Sequence, residues 1–136
     1  MKGALLIADS ARSHPDGTFS LLRGGIDRVH VLAGQPIVHR GSVVARMSGE
    51  AADAGKHEFI LRVGTQSGKP VAPEMSGAFE IPRGGGGVVA VLDFALRLPA
   101  FGTYSFVLVV DHVDLDTWRV EVLEANAPVP AMGGKQ

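Results

Sequence analysis

Apolar and polar residues alternate with period two along most of the chain, the mark of strands with one face buried. His57, Phe59, Leu61 and Val63 alternate with Glu58, Ile60 and Arg62. Val88, Ala90, Leu92, Phe94, Leu96 and Leu98 alternate with Val89, Val91, Asp93, Ala95 and Arg97. Tyr104, Phe106, Leu108 and Val110 form a third apolar set, and Trp118, Val120 and Val122 a fourth. Ala4 to Ala8 reads as the first strand. No window carries a capped amphipathic helix, and residues 51–55 offer a helical turn at most.

Turn chemistry separates these runs: HPDG at 14–17, GQP at 34–36, AADAG at 51–55, TQSGK at 65–69, PRGGGG at 82–87, PAFG at 99–102 and DHVD at 111–114. The spacing predicts an all-β fold, an antiparallel β-sandwich of about eight strands, immunoglobulin-like or jelly-roll-like. Residues 1–124 form a single domain in this reading. Residues 125–136, with two prolines and a glycine pair, form a mobile tail. Tyr104 follows a Pro/Gly corner and opens a strong strand, which predicts a hydroxyl turned back onto the chain upstream. Trp118 falls on the apolar phase and is expected in or beside the core.

The stretch HPDGTFSLLRGGIDRVHV breaks the alternation. A bulge at Gly24-Gly25 would reset the phase so that Ile26 returns to the apolar side. Asp27 and Arg28 would then point to opposite faces, at least one of them partly buried and needing a partner. A role in holding the sheet together through paired hydrogen bonds is expected of them, so that Asp27→Ala would cost stability.

Composition narrows the function classes. The chain has 136 residues, 46% hydrophobic and 20% charged, enough for one globular core without staples. Thirteen basic and fourteen acidic residues leave a net charge of -1, so no nucleic-acid or anionic-membrane footprint is present. There is no cysteine, which removes disulfides, thiolate metal sites and a thiol nucleophile together. The N-terminal run is too short for a secretory leader, and a cytoplasmic protein is the expectation.

Candidate chemistry is sparse. GTQSGKP at 64–70 has the wrong glycine spacing for a phosphate loop and no following helix, so it reads as a hairpin turn. The glycines at 84–87 read as a flexible loop, with an anion nest as the minor alternative. His14, His30, His39, His57 and His112 lack zinc-site spacing, and neither HExxH nor GxSxG occurs. A metal site from Asp9, His14 and Asp16 is conceivable, but the HPDG turn already accounts for the last two. No metal, cofactor or catalytic residue is expected. Arg40, Arg46, Arg62, Arg97 and Arg119 with Glu58, Glu80 and Glu121 suggest a charged outer face. Val89, Val91, Val107 and Val109 lie on that same phase, so some strands carry apolar residues on both faces.

The runs LLIADSARSHPDGTFSLLRGGIDRV, PIVHRGSVVARM, HEFILRVGTQSGKPVAPEM, FEIPRGG, FGTYSFVLVVD and TWRVEV resemble a family of small bacterial single-domain proteins with a domain-of-unknown-function label. The resemblance implies a compact all-β protein and supplies no activity, cofactor or site residue. Where that family often has Asp-Gly, this chain has Asp111-His112, a hairpin turn adapted to histidine.

The expected function is a non-catalytic binding or assembly module acting through a sheet face or edge, with a protein partner or itself as a homodimer. The alternative is a small enzyme or ligand binder with a polar site near Asp9, Arg12, His14, Asp27 and Arg28. Carbohydrate binding is disfavoured, because the chain has one Trp, one Tyr and six Phe, mostly on apolar phases.

Overall fold

The computed structural model describes residues 1–125. The expected tail at 125–136 therefore lies, past Ala125, outside the described residues. The described residues are all-β apart from one turn of 3-10 helix, with nine strands in two sheets. The strands are β1 (Lys2–Ser13), β2 (Phe19–Gly24), β3 (Arg28–Leu32), β4 (Val38–Glu50), β5 (Gly55–Thr65), β6 (Met75–Ile81), β7 (Gly85–Arg97), β8 (Gly102–Val110) and β9 (Val113–Ala125). The 3-10 turn spans Ala51–Asp53, inside the stretch expected to form a helical turn. One sheet has the order β2-β1-β4-β7 and the other β3-β9-β8-β5-β6. Among the described residues, no helix is long and apolar enough to cross a membrane.

The period-two pattern names the core. Leu5, Ile7, Val43, Ala45, Met47, Phe94 and Leu96 from the first sheet meet Phe59, Leu61, Val63, Phe106, Leu108, Val120 and Val122 from the second, all buried. Each comes from the apolar phase of its strand. Fully burying such side chains is worth about 1.5–3 kcal/mol each. Trp118 is half-buried and packs against this core. Tyr104 is buried, and its hydroxyl donates to the Ala100 carbonyl at 2.6 Å, fixing the corner before β8.

Two expectations need correcting. Pairing is not antiparallel throughout: β3 runs parallel to β9, with Arg28 opposite Glu121 and Leu32 opposite Ala125. The cause is the short link after β2, which carries the chain from one sheet to the other so that β3 arrives running alongside β9. Nor do the glycines at 84–87 all lie in a loop: Gly84 stands in the turn, the other three in a strand. Gly85, Gly86 and Gly87 open β7 opposite Glu50, Gly49 and Ser48. At Gly85 φ is +89°, and a side chain there would meet the Gly49 carbonyl at 2.9 Å, so glycine is required.

The link itself ties the sheets together. Gly25 and Ile26 both donate to the Ile7 carbonyl, at 2.8 and 2.9 Å, two amides on one acceptor as in a β-bulge. Ile26 is half-buried against the core, as the phase shift requires. Its carbonyl accepts the Trp118 indole N–H at 2.8 Å, and the next carbonyl, of Asp27, accepts the Glu121 amide at 2.9 Å. One residue, Ile26, thus bonds to β1 of one sheet and β9 of the other. Alongside, β9 carries an extra residue, Leu115, between the pairs Leu108–Asp116 and Val109–Asp114. The bulge aims Asp116 at β1, where its carboxylate accepts the buried Leu5 amide at 2.8 Å.

On the opposite side no described strand joins the two sheets by backbone hydrogen bonds. β7 and β6 are the outer strands there. Among the described residues, β7 between Gly86 and Arg97 makes backbone hydrogen bonds to β4 alone.

Candidate functional site

Asp9, Arg12, His14, Asp27 and Arg28 do not converge on one place. Asp9 and Arg28 line a cleft of about 360 Å³ together with Arg23, His39 and Arg40. Arg12 and His14 line a shallower one of about 240 Å³ by Ser20 and Leu22. Asp27 lines neither.

The HPDG residues are occupied as a turn. Gly17 donates to the His14 carbonyl at 3.1 Å, and the His14 amide to the Thr18 carbonyl at 2.8 Å. Asp16 accepts the Thr18 hydroxyl at 2.5 Å and the Thr18 amide at 3.0 Å, which together hold its carboxyl below the usual carboxylate range. His14 faces the Ser20 hydroxyl at 2.7 Å, and Asp9 pairs with Arg23 at 3.3 Å. No three His, Asp or Glu side chains among the described residues are grouped to hold a metal. GTQSGKP also closes as a turn, with Gly68 donating to the Thr65 carbonyl at 2.9 Å and Thr65 to that of Lys69 at 2.8 Å.

Asp27 and Arg28 are both exposed, contrary to the expectation that one is partly buried. Arg28 pairs with Glu121 at 3.4 Å across the parallel strands. For Asp27 the backbone carbonyl, not the carboxylate, makes the bond to β9. Asp27→Ala keeps that carbonyl. The expected shift in stability is therefore within about 0.5 kcal/mol, the range of an ordinary surface substitution, measured by thermal melting.

The strongest titratable cluster is one that sequence spacing does not reveal. His57 lies 54 residues before Asp111, yet its Nδ1 meets the Asp111 carboxylate at 2.5 Å. Its Nε2 meets the Asp53 carbonyl at 2.5 Å, and its ring stacks on Phe79. With both ring nitrogens facing acceptors, the imidazolium is the form that satisfies both. The bond to Asp111, followed by that to the Asp53 carbonyl, raises the His57 pKa. The bond from His57 holds Asp111 below its ordinary range. Asp111 and His112 both have positive φ, +48° and +70°, as a two-residue turn between β8 and β9 requires.

A catalytic histidine backed by a carboxylate keeps its far nitrogen free for a nucleophile. Here that nitrogen is spent on Asp53, so the trio is a clamp between β5 and the β8–β9 turn. A raised folded pKa stabilises fully below the unfolded value, about 6.5, and the contribution disappears as pH rises through the folded pKa. The Asp111 contribution, of depressed pKa, is lost at the acid end instead. Melting temperature should therefore fall from pH 6 to pH 9 in the native chain, and this part of the fall should vanish in His57→Gln. An unchanged slope in that variant would remove the clamp.

His39, by contrast, is buried at 6% exposure, with its ring edge-on to Phe94 at 5.0 Å. Burial lowers its pKa, against a weaker opposing pull from Asp9, so at neutral pH it is uncharged. It has no hydrogen-bond partner among the described residues.

Comparison with known proteins gives one positive result. No curated protein matches the chain. A family model described as a family of unknown function, DUF6941, matches residues 3–123, from the start of β1 almost to the end of β9. With its two sheets and their connecting link all inside that match, this chain belongs to the family DUF6941.

Proposed function

We propose that the protein is a non-catalytic binding and assembly module that pairs along the free edge of β7 with the same edge of a second copy. The observation that carries this reading is the edge itself. It runs 13 residues, Gly85–Arg97, and contains neither proline nor lysine. Natural sheets usually blunt exposed edges with those residues, with bulges or with short strands.

Hydrogen-bond phase identifies the groups on offer. Leu98 donates to the Ile37 carbonyl, and the register with β4 is constant from there to Gly85. Even-numbered residues of β7 therefore bond to β4, and the N–H and C=O groups of Val89, Val91, Asp93 and Ala95 point away from it. The side chains of these same residues lie on the outer phase, with Val89 and Val91 half-buried. Two β7 strands related by a two-fold axis would run antiparallel and extend the four-stranded sheet to eight.

The parallel β3–β9 pair and the Tyr104 corner support an immunoglobulin-like variety of the two-sheet arrangement. A cytoplasmic setting rests on the cysteine-free composition.

Sedimentation of the full chain at micromolar concentration tests the reading. The expected species is a dimer of 14.2 kDa chains. Val91→Pro removes one outward N–H without touching the β4 ladder, and is expected to sediment as a folded monomer. A native chain that is monomeric at these concentrations would overturn it.

A further inference from the structure

The cleft at the other end of the inter-sheet space carries a second reading, independent of the β7 edge. The inward stripe of β1 runs Leu5, Ile7, Asp9, and that of β4 runs Met47, Ala45, Val43 and then His39. The apolar lining thus gives way to polar residues where the two strands leave the core. Ile26, Val29 and Val38, all half-buried, form the apolar wall of the cleft beyond that point. Arg23, Arg28 and Arg40 line it as well.

We infer that this cleft binds a small organic oxyanion, a carboxylate or phosphate monoester with an apolar body. Its volume, about 360 Å³, falls in the range of small-molecule sites and far exceeds a bare ion. Three arginines and one carboxylate, Asp9, belong to the lining. Arg23 is engaged by Asp9 and Arg28 by Glu121, whereas Arg40 has no ion-pair partner among the described residues. A planar guanidinium matches both oxyanion types through paired N–H donors.

His39 supplies the second, independent observation. His39 is more than nine-tenths buried and lines the cleft, and because no buried side-chain nitrogen among the described residues lacks a partner, its unpartnered ring nitrogens are among the atoms that reach the solvent there. Its uncharged ring offers one N–H donor, and an oxyanion in the cleft takes the place of water as its acceptor. The ligand's apolar body lies against Ile26, Val29 and Val38, with its head between His39 and Arg40.

Histidine ring resonances of the full chain, with His39 assigned through its loss in His39→Gln, test this directly. Phenyl phosphate and benzoate serve as the two organic anions, and inorganic phosphate and benzyl alcohol as the head and the body alone. The His39 signals should move on titration with at least one organic anion. Affinity should fall at least about tenfold in Arg40→Gln, the loss expected for one charge-assisted hydrogen bond. Affinity should also fall on raising the salt concentration. His39 signals unmoved by both organic anions, or Arg40→Gln binding as tightly as the native chain, would overturn the site. Benzyl alcohol binding as well as the anions would overturn the charge requirement, and inorganic phosphate matching phenyl phosphate would overturn the apolar one. The readout concerns each protomer's own cleft, so a monomeric chain would leave this inference standing while ending the assembly reading.

Discussion

Trp118→Ala is expected to lower the melting temperature by roughly 10 °C, the largest effect of any substitution outside the innermost core. Removing a packed aromatic side chain costs about 3–5 kcal/mol. Trp118 is half-buried, which places the packing loss at the lower end, but its truncation also deprives the Ile26 carbonyl of its donor at 2.8 Å. That carbonyl belongs to the residue whose amide bonds to β1, so losing the indole loosens the tie between the sheets. Trp118→Phe separates the two contributions. It keeps most of the ring and drops the donor, so the loss should shrink to about 1–3 kcal/mol, the cost of one unsatisfied buried acceptor. Thermal and denaturant melts of the two variants measure both. A phenylalanine variant as unstable as the alanine one would show that the hydrogen bond, not packing, holds the link.

Asp116→Ala acts on the same seam from the other side. Leu5 is 5% exposed, and its amide has the Asp116 carboxylate as acceptor because β2 pairs with β1 only from Ala8 onward. Without the carboxylate that donor is buried and unpaired, at a cost of about 1–3 kcal/mol. Asp116→Asn retains an acceptor oxygen in the same position and should recover most of the loss. Amide exchange at Leu5 is the sharper measurement: it should quicken in the alanine variant and stay protected in the asparagine one. Equal protection in all three proteins would mean that the bulge at Leu115, not the carboxylate, secures β1.

Both predictions concern features of which the sequence gives half. Trp118 is recognisable as a near-core residue from its phase, and Gly24-Gly25 as the point where a strand changes register. Neither observation says that the indole would reach the carbonyl of the residue just after that glycine pair, 92 positions away in the chain. Asp116 reads as an ordinary strand carboxylate, because a bulge at Leu115 leaves no mark in a run already rich in aspartate.

The candidate sites divide in the same way. Arg23, Arg28, His39 and Arg40 sit on three different strands, and only the packing of their ends makes one cleft of them. Asp9 and Arg28 share it, while Arg12 and His14 belong elsewhere and Asp27 contributes a backbone carbonyl. His57 and Asp111 were both visible as titratable groups, yet their contact depends on the pairing of β5 with β8, which brings Phe59 opposite Val110.

What the sequence alone determined is local: which residues face inward, where the chain turns, where a tyrosine closes a corner and where glycine must stand. Those follow from side-chain alternation and backbone sterics, which act over a few residues. Tertiary structure decided the strand order, the parallel entry of β3 beside β9, the edge of β7 that no described strand pairs and the charged cleft at the end of the core. Each of these joins residues distant along the chain, so it depends on which strands become neighbours, and no short-range pattern records that choice.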